Sequence, residues 1–220
     1  MNTQPALHPA ADLLLDYATG VADLPARVVL AAHLAGCESC RGEVDALRAP
    51  AADFLRSLPD ARGAARPASA LWERLRAAIE SESPARAQEP DRAQLGLPLP
   101  VAAWAELGPR QPLAWQPLRF SPGVRWASVG SDPSTGSMLV AVQGPKSSSF
   151  PAHRHVGQEL GVVLEGGYED ATGDYRLGDF FAYEPGTSHQ PRTDLEEGCT
   201  SLLRLESPNR FLGWRRWVFG

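Results

Sequence analysis

The sequence predicts a chain of two unlike parts, a small α-helical bundle followed by an all-β barrel or sandwich. Three observations predict it. Up to residue 82 the apolar residues recur at helical spacing, with glycine and proline placed at the expected ends. Over residues 83–112, Pro84, Pro90, Pro98, Pro100, Pro109 and Pro112 fall among scattered charges, the composition of an extended spacer. Beyond 112, short β-branched and aromatic runs alternate with turn residues, the texture of a barrel or sandwich. A length of 220 residues and an apolar content of 43% suffice for two cores. The expected units are residues 1–85, a linker at 86–112, and residues 113–220.

The helices follow in order. Leu13, Leu14, Leu15 and Tyr17 lie in a stretch that Gly20 ends. Pro25 suits the first turn of a second helix over 26–34, with Gly36 as its stop. A third helix begins near Cys37, passes Val44 and Leu47, bends at Pro50 and continues through Phe54, Leu55 and Leu58. A joint rich in proline, glycine and alanine at 59–68 precedes a fourth helix. Ser69 caps that helix, and Leu71, Trp72, Leu75 and Ile79 share one of its faces. The joint lets this helix stand partly detached, the alternative being a fourth helix of the core. Inside the proline-rich spacer, the apolar piece 101–107 is long enough to dock on either unit. Strands are expected at 124–129, 138–142, 160–164, 179–183, 200–205 and 214–219. Turns are expected at 132–136, 165–167, 172–174 and 185–188.

Charge and compartment narrow the function. A net charge of -5 offers no electrostatic footprint for nucleic acid. The first basic residue is Arg27, so the N-terminus lacks the basic start of a secretory signal. The longest apolar run, 28–37, is interrupted by His33 and Gly36 and is too short to span a bilayer. The chain is therefore expected in the cytoplasm, where cysteines stay reduced and a close pair suggests a metal before a disulfide.

All five histidines, His8, His33, His153, His155 and His189, fall into spacings that suit a metal. Cys37 and Cys40 are three apart, so on a helix they share a face, and His33 sits across the Gly36 turn. A closed structural zinc site takes four nitrogen or sulfur ligands. The fourth is expected to be His8, brought up by an antiparallel first helix, with Glu43 or Asp12 as the alternatives. A redox Cys pair would call for a βα context, which is absent here. In the second half His153 and His155 are two apart and face one interior on a strand. Glu159 follows a short turn, and His189 comes from a later segment. Three imidazoles and a carboxylate suit Zn, Mn, Fe, Ni or Co. Cys199 lies outside both groups, as a small core residue or, alternatively, a redox thiol.

These spacings match known motifs. His153, His155, Glu159 and Gly166 fill H-x-H-x3-E-x6-G, and Gly178, Asp179, Gly186 and His189 fill a second motif. Together they resemble the cupins, a resemblance that implies a β-barrel of the jelly-roll type. Pro185 directly beside Gly186, and Thr193 where asparagine is usual, depart from the pattern without touching a ligand position. His33, Cys37 and Cys40 resemble the zinc-binding anti-sigma factors. In this order and at this length, the chain is similar to the ChrR-type anti-sigma factors. That resemblance implies His8 as the fourth zinc ligand. It implies an extracytoplasmic-function sigma factor as partner of the helical unit, with no direct nucleic-acid or membrane contact. It also implies a cupin that senses singlet oxygen or organic peroxide. The alternative class is a dioxygenase-like cupin metalloenzyme with an accessory zinc domain. The sequence leaves the oligomeric state open.

Overall fold

The computed structural model describes residues 4–58, 69–81, 97–107, 112–119 and 121–212. The expected joint at 59–68, most of the spacer, and the expected strand at 214–219 lie outside the described residues.

Helix α1, Ala11–Thr19, ends where Gly20 takes the left-handed conformation (φ 78°) and its N–H reaches the Asp16 and Tyr17 carbonyls. In α2, Leu24–Gly36, the Asp23 side chain caps the first turn by accepting from Ala26 N, and Pro25 occupies that turn. Cys37 closes α2, its N–H donating to His33 O, and also opens α3, Glu38–Ser57. The junction between α2 and α3 is therefore Cys37, itself a candidate ligand. Pro50 lies inside α3 and does not end it. Helix α4 spans Ser69–Ser81 and α5 spans Val101–Leu107. The proline-flanked segment that reads as an extended spacer thus contains a short helix, docked on α2 with Leu97, Leu99, Ala103 and Leu107 buried.

The β part is antiparallel throughout. Its strands are β1 (Gln116–Pro117), β2 (Arg125–Ser131), β3 (Met138–Gly144), β4 (His153–Arg154), β5 (Glu159–Asp170), β6 (Gly173–Arg176), β7 (Phe180–Tyr183), β8 (Ser188–His189), β9 (Arg192–Thr193), β10 (Cys199–Leu205) and β11 (Arg210–Phe211). One sheet runs β1-β2-β3-β10-β5-β6, with β7 and β9 also pairing with β5; a second runs β11-β4-β8. Helices followed by this cupin-type β-structure match the predicted fold class.

One expected turn is absent. Residues 165–167 lie within the long strand β5, which carries a bulge opposite Thr200 and Ser201. Gly166 takes φ 63°, and a Cβ there would sit 2.1 Å from the Gly198 carbonyl oxygen. The glycine pair that reads as a turn serves a close backbone approach.

Helix α2 organises the molecule. Pro25, Ala26 and the run Val28, Val29, Leu30, Ala31, Ala32, His33 and Leu34 are all buried. A helix apolar on every side must be covered on every side. Helices α1, α3 and α5 cover part of α2, and β5, β10 and β2 cover the rest. Asp23 and Arg204 form an ion pair across this junction at 2.8 Å. Leu24 N also donates to Asp132 Oδ2 at 3.0 Å.

Candidate metal centres

The first centre forms where three pieces of chain meet. His8 precedes α1, His33 lies near the end of α2, and Cys37 and Cys40 sit on the first turn of α3. One donor atom from each lies within 4.8 Å of the others. His8 Nδ1 is 3.4 Å from both Cys37 Sγ and Cys40 Sγ. Neither Glu43 nor Asp12 belongs to the group. His33 Nδ1 lies 2.7 Å from Gly178 O. A carbonyl only accepts, so Nδ1 carries the proton and Nε2 keeps its lone pair. That Nε2 is buried with no hydrogen-bond partner. Buried polar atoms rarely stay unpaired, and an ion in the pocket resolves this one. Burial, and then the adjacent Cys37, push the Cys40 thiol up to about 12. Two buried sulfurs become thiolates only against a strong local positive charge, which zinc supplies. Burial lowers the pKa of His33, keeping its ring neutral as a ligand must be.

The second centre lies between the two sheets. His153 and His189 are paired residues of β4 and β8, and His155 follows β4. All three are buried, and their donor atoms lie within 4.8 Å of one another. Each ring is fixed through Nδ1. His153 donates to Pro151 O at 3.0 Å. His155 meets Thr187 Oγ1 at 2.8 Å; that hydroxyl spends its proton on Glu184 O, so it accepts from the ring. His189 donates to Asp170 Oδ2 at 2.6 Å. Every Nε2 is therefore a bare lone pair, and His153 Nε2 and His189 Nε2 face each other at 2.9 Å. Two such lone pairs repel unless a cation lies against both. Burial, with the neighbouring histidines adding to it, holds His153 and His155 down at about 4, so both are neutral at pH 7. Burial alone would raise Asp170, but bonds from His189, Thr172 and Tyr183 outweigh it and hold the carboxyl below its ordinary range.

Glu159 stands beside this trio. Its Oε2 is 3.7 Å from His155 Nε2 and accepts from Asn209 Nδ2 at 2.5 Å. Burial raises its pKa. The structure thus gathers His153, His155 and His189, with Glu159 at the edge of reach. A cavity of about 580 Å³ adjoins them, walled by Trp126, Met138, Val140, Phe181, Leu203 and Phe211. Cys199 lines the same cavity, buried, its thiol pushed up to about 11 by burial.

Sequence reasoning missed the partners that orient the rings. Gly178 O and Pro151 O are backbone atoms, which no side-chain pattern reveals. Asp170 closes the strand that Glu159 opens, a separation tied to no motif.

Both parts of the chain are similar to known proteins. Residues 108–207 match the family described as "ChrR Cupin-like domain", and residues 9–41 match the one described as "Putative zinc-finger". The chain is 28% identical to the anti-sigma-E factor ChrR of Cereibacter sphaeroides over 205 residues, covering 93% of this chain and 91% of the relative. The crystal structure of Rhodobacter sphaeroides SigE in complex with the anti-sigma ChrR superposes with a TM-score of 0.65 at 24% identity, over 91% of this chain and 99% of that one. An acetylacetone dioxygenase from Acinetobacter johnsonii aligns with a TM-score of 0.41 at 22% identity, over 47% of this chain and 73% of that one. The chain therefore resembles the ChrR-type zinc-binding anti-sigma factors along nearly its whole length.

Proposed function

Starting from that resemblance, we propose that the chain is an anti-sigma factor that sequesters an extracytoplasmic-function sigma factor and releases it when its cupin part senses oxidative stress. On this reading residues 1–85 hold the partner, 86–112 connect, and 113–220 sense. The protein works in the cytoplasm as a regulator.

The observation that carries this reading is an exposed apolar surface among the described residues of the helical part. Leu47, Phe54, Leu55 and Leu58 are exposed along α3 and its end, and Leu71, Trp72 and Leu75 are exposed on α4. An exposed apolar surface of this extent needs a partner, and two helices presenting it suit a helical one. His8, His33, Cys37 and Cys40 holding zinc would fix the angle between α2 and α3 and so aim the α3 stripe. Zinc of this kind contributes directly to the folding of a small helical unit.

His153, His155 and His189, with Glu159 as a fourth ligand, would hold a divalent transition metal, zinc or one of Mn, Fe, Ni and Co. The metal supplies a Lewis-acidic centre at the end of an apolar cavity. An organic hydroperoxide, oily with one oxygen-donor end, has the right chemistry for that cavity. Singlet oxygen is the second candidate signal.

The test is co-expression of the full chain with an extracytoplasmic-function sigma factor, followed by affinity purification and elemental analysis. The expected result is a stable pair with the zinc site filled. With zinc in excess, His155→Ala plus Glu159→Ala retains the sigma factor but blunts release by hydroperoxide. Failure of the two proteins to associate defeats the reading. The cavity beside the histidines also favours a second reading, a metalloenzyme, which predicts metal-dependent turnover of a small substrate by the full chain.

A further inference from the structure

The two centres share a strand. Strand β7 has four residues and spans about 10 Å from Phe180 to Tyr183. Just before it, the loop Leu177-Gly178-Asp179 lies against the first centre. Gly178 O accepts from His33 Nδ1 at 2.7 Å. Asp179 is buried, and its two oxygens serve different parts of the chain. Oδ2 accepts from Arg176 N at 2.9 Å, within the barrel. Oδ1 accepts from Ala6 N at 2.7 Å and Leu7 N at 3.1 Å, on the strand of chain that presents His8. Phe180 N then donates to Leu7 O at 3.1 Å, and the Phe180 ring stands edge-on to His33.

At its other end β7 meets the second centre. The Tyr183 ring stacks on His155 with centroids 4.8 Å apart and planes within 9°. Its hydroxyl donates to Asp170 Oδ2 at 2.8 Å, the same oxygen that holds His189. Both ends of one short, paired strand are therefore bonded to the groups that orient metal ligands. Gly178 is fitted to this role. It adopts φ 86°, and a Cβ there would approach Pro5 Cγ to 2.9 Å.

We propose that the first metal site is completed by the barrel, and that the Gly178–Asp179 loop and β7 couple the two centres, so that occupancy of the histidine trio changes metal affinity at His8, His33, Cys37 and Cys40. Gly178 and Asp179 act as positioning residues. The carbonyl fixes the tautomer and plane of His33, and the carboxylate holds the segment that carries His8. Outer partners of this kind typically set metal affinity by about 10–100-fold. Coupling between sites is reciprocal, so filling the first centre equally favours filling the second. The inference rests on the metal assignment above and makes that assignment regulatory: a change at the sensor reaches the metal that shapes the docking surface through one strand.

The test uses the full chain in a Cys199→Ala background, with cobalt(II) alone as probe. Thiolate-to-cobalt charge-transfer absorption then reports only Cys37 and Cys40. The cobalt Kd of that band is measured with the histidine trio intact and with His153→Ala plus His155→Ala. The expected ratio is about fivefold or more, with tighter binding when the trio is intact. In an Asp179→Asn background the ratio falls toward one. Tyr183→Phe keeps the ring on His155 and removes the hydroxyl that donates to Asp170 and meets the Tyr168 hydroxyl at 3.1 Å, so it lowers the ratio as well. Equal Kd values with and without the trio overturn the proposal, as does an unchanged ratio in the variants. Should Asp179→Asn lose its cooperative melt, Tyr183→Phe decides. Sigma-factor capture by the same preparations separates the two readings. Lost capture with intact coupling sinks only the anti-sigma function, and retained capture without coupling sinks only the link.

Discussion

Truncating Trp72 to alanine is expected to weaken sigma-factor binding while leaving the free protein intact. Trp72 is 53% exposed on α4. A tryptophan buries up to about 250 Å², so a partner covering what is free removes roughly 130 Å² from water. At about 25 cal/mol per Å² this amounts to roughly 3 kcal/mol, a loss in affinity on the order of a hundredfold. Part of that area belongs to the backbone and survives the truncation, so the estimate is an upper figure. The effect should nonetheless exceed that of trimming an exposed residue outside a binding surface, which is usually within about 0.5 kcal/mol. Titration calorimetry of the full chain against an extracytoplasmic-function sigma factor measures it, with a thermal melt of the free variant as control. A Kd indistinguishable from that of the parent, at unchanged melting temperature, would refute the assignment of α4 to the docking surface.

Three further outcomes follow from the centres and their junction. Asp170→Ala frees His189 Nδ1 and should cost the second centre about 10–100-fold in metal affinity, read by competition with a chelator; unchanged affinity would mean that the carboxylate does not orient the ring. Arg204→Met leaves the Asp23 carboxylate without its partner at a junction where the two side chains are only 13% and 7% exposed. Urea unfolding should register a loss of about 3 kcal/mol, and full additivity with Asp23→Asn would deny the pairing. In chelator-treated protein, His153 and His155 titrate at about 4 when folded, below the ordinary value near 6.5. The unfolded chain then binds more protons between those values. Stability is complete above about pH 6.5 and is lost as pH falls through about 4; a flat melting temperature across that window contradicts the burial of the trio.

What the sequence revealed depended on how donor atoms are distributed along it. His153 and His155 sit two apart, and Cys37 and Cys40 three apart, so local geometry alone places each pair on one side. His8 and His189 were legible because histidine is scarce here, only five in 220 residues. The orienting partners have no such spacing. Thr187 and Asp170 reach their rings through the pairing of β4 with β8 and the length of β5, which are tertiary facts. The glycines at 166 and 167 misled for a related reason. A bulge and a turn demand the same backbone freedom, and only the pairing of β5 with β10 and β6 tells them apart.

The proline-rich segment reads as an extended spacer between two units, yet α2 argues against their being separate. A surface helix of a small bundle keeps a polar face, whereas residues 28–34 of α2 hold one polar side chain, His33, and are all buried. That run signals a second body covering the helix, and the structure supplies it in β2, β5, β10 and α5. Residues 1–85 expressed alone lose those covers. The apolar run of α2 then meets water, and His33 loses the Gly178 carbonyl that fixes its ring. The fragment is expected to self-associate and to bind an apolar dye, and to give up zinc to a chelator about tenfold more readily than the full chain. Sedimentation, dye fluorescence and chelator competition on the two proteins side by side measure this. A monomeric, dye-silent fragment that keeps its zinc as tightly as the full chain would show that the barrel is a passenger on the helices rather than part of their core.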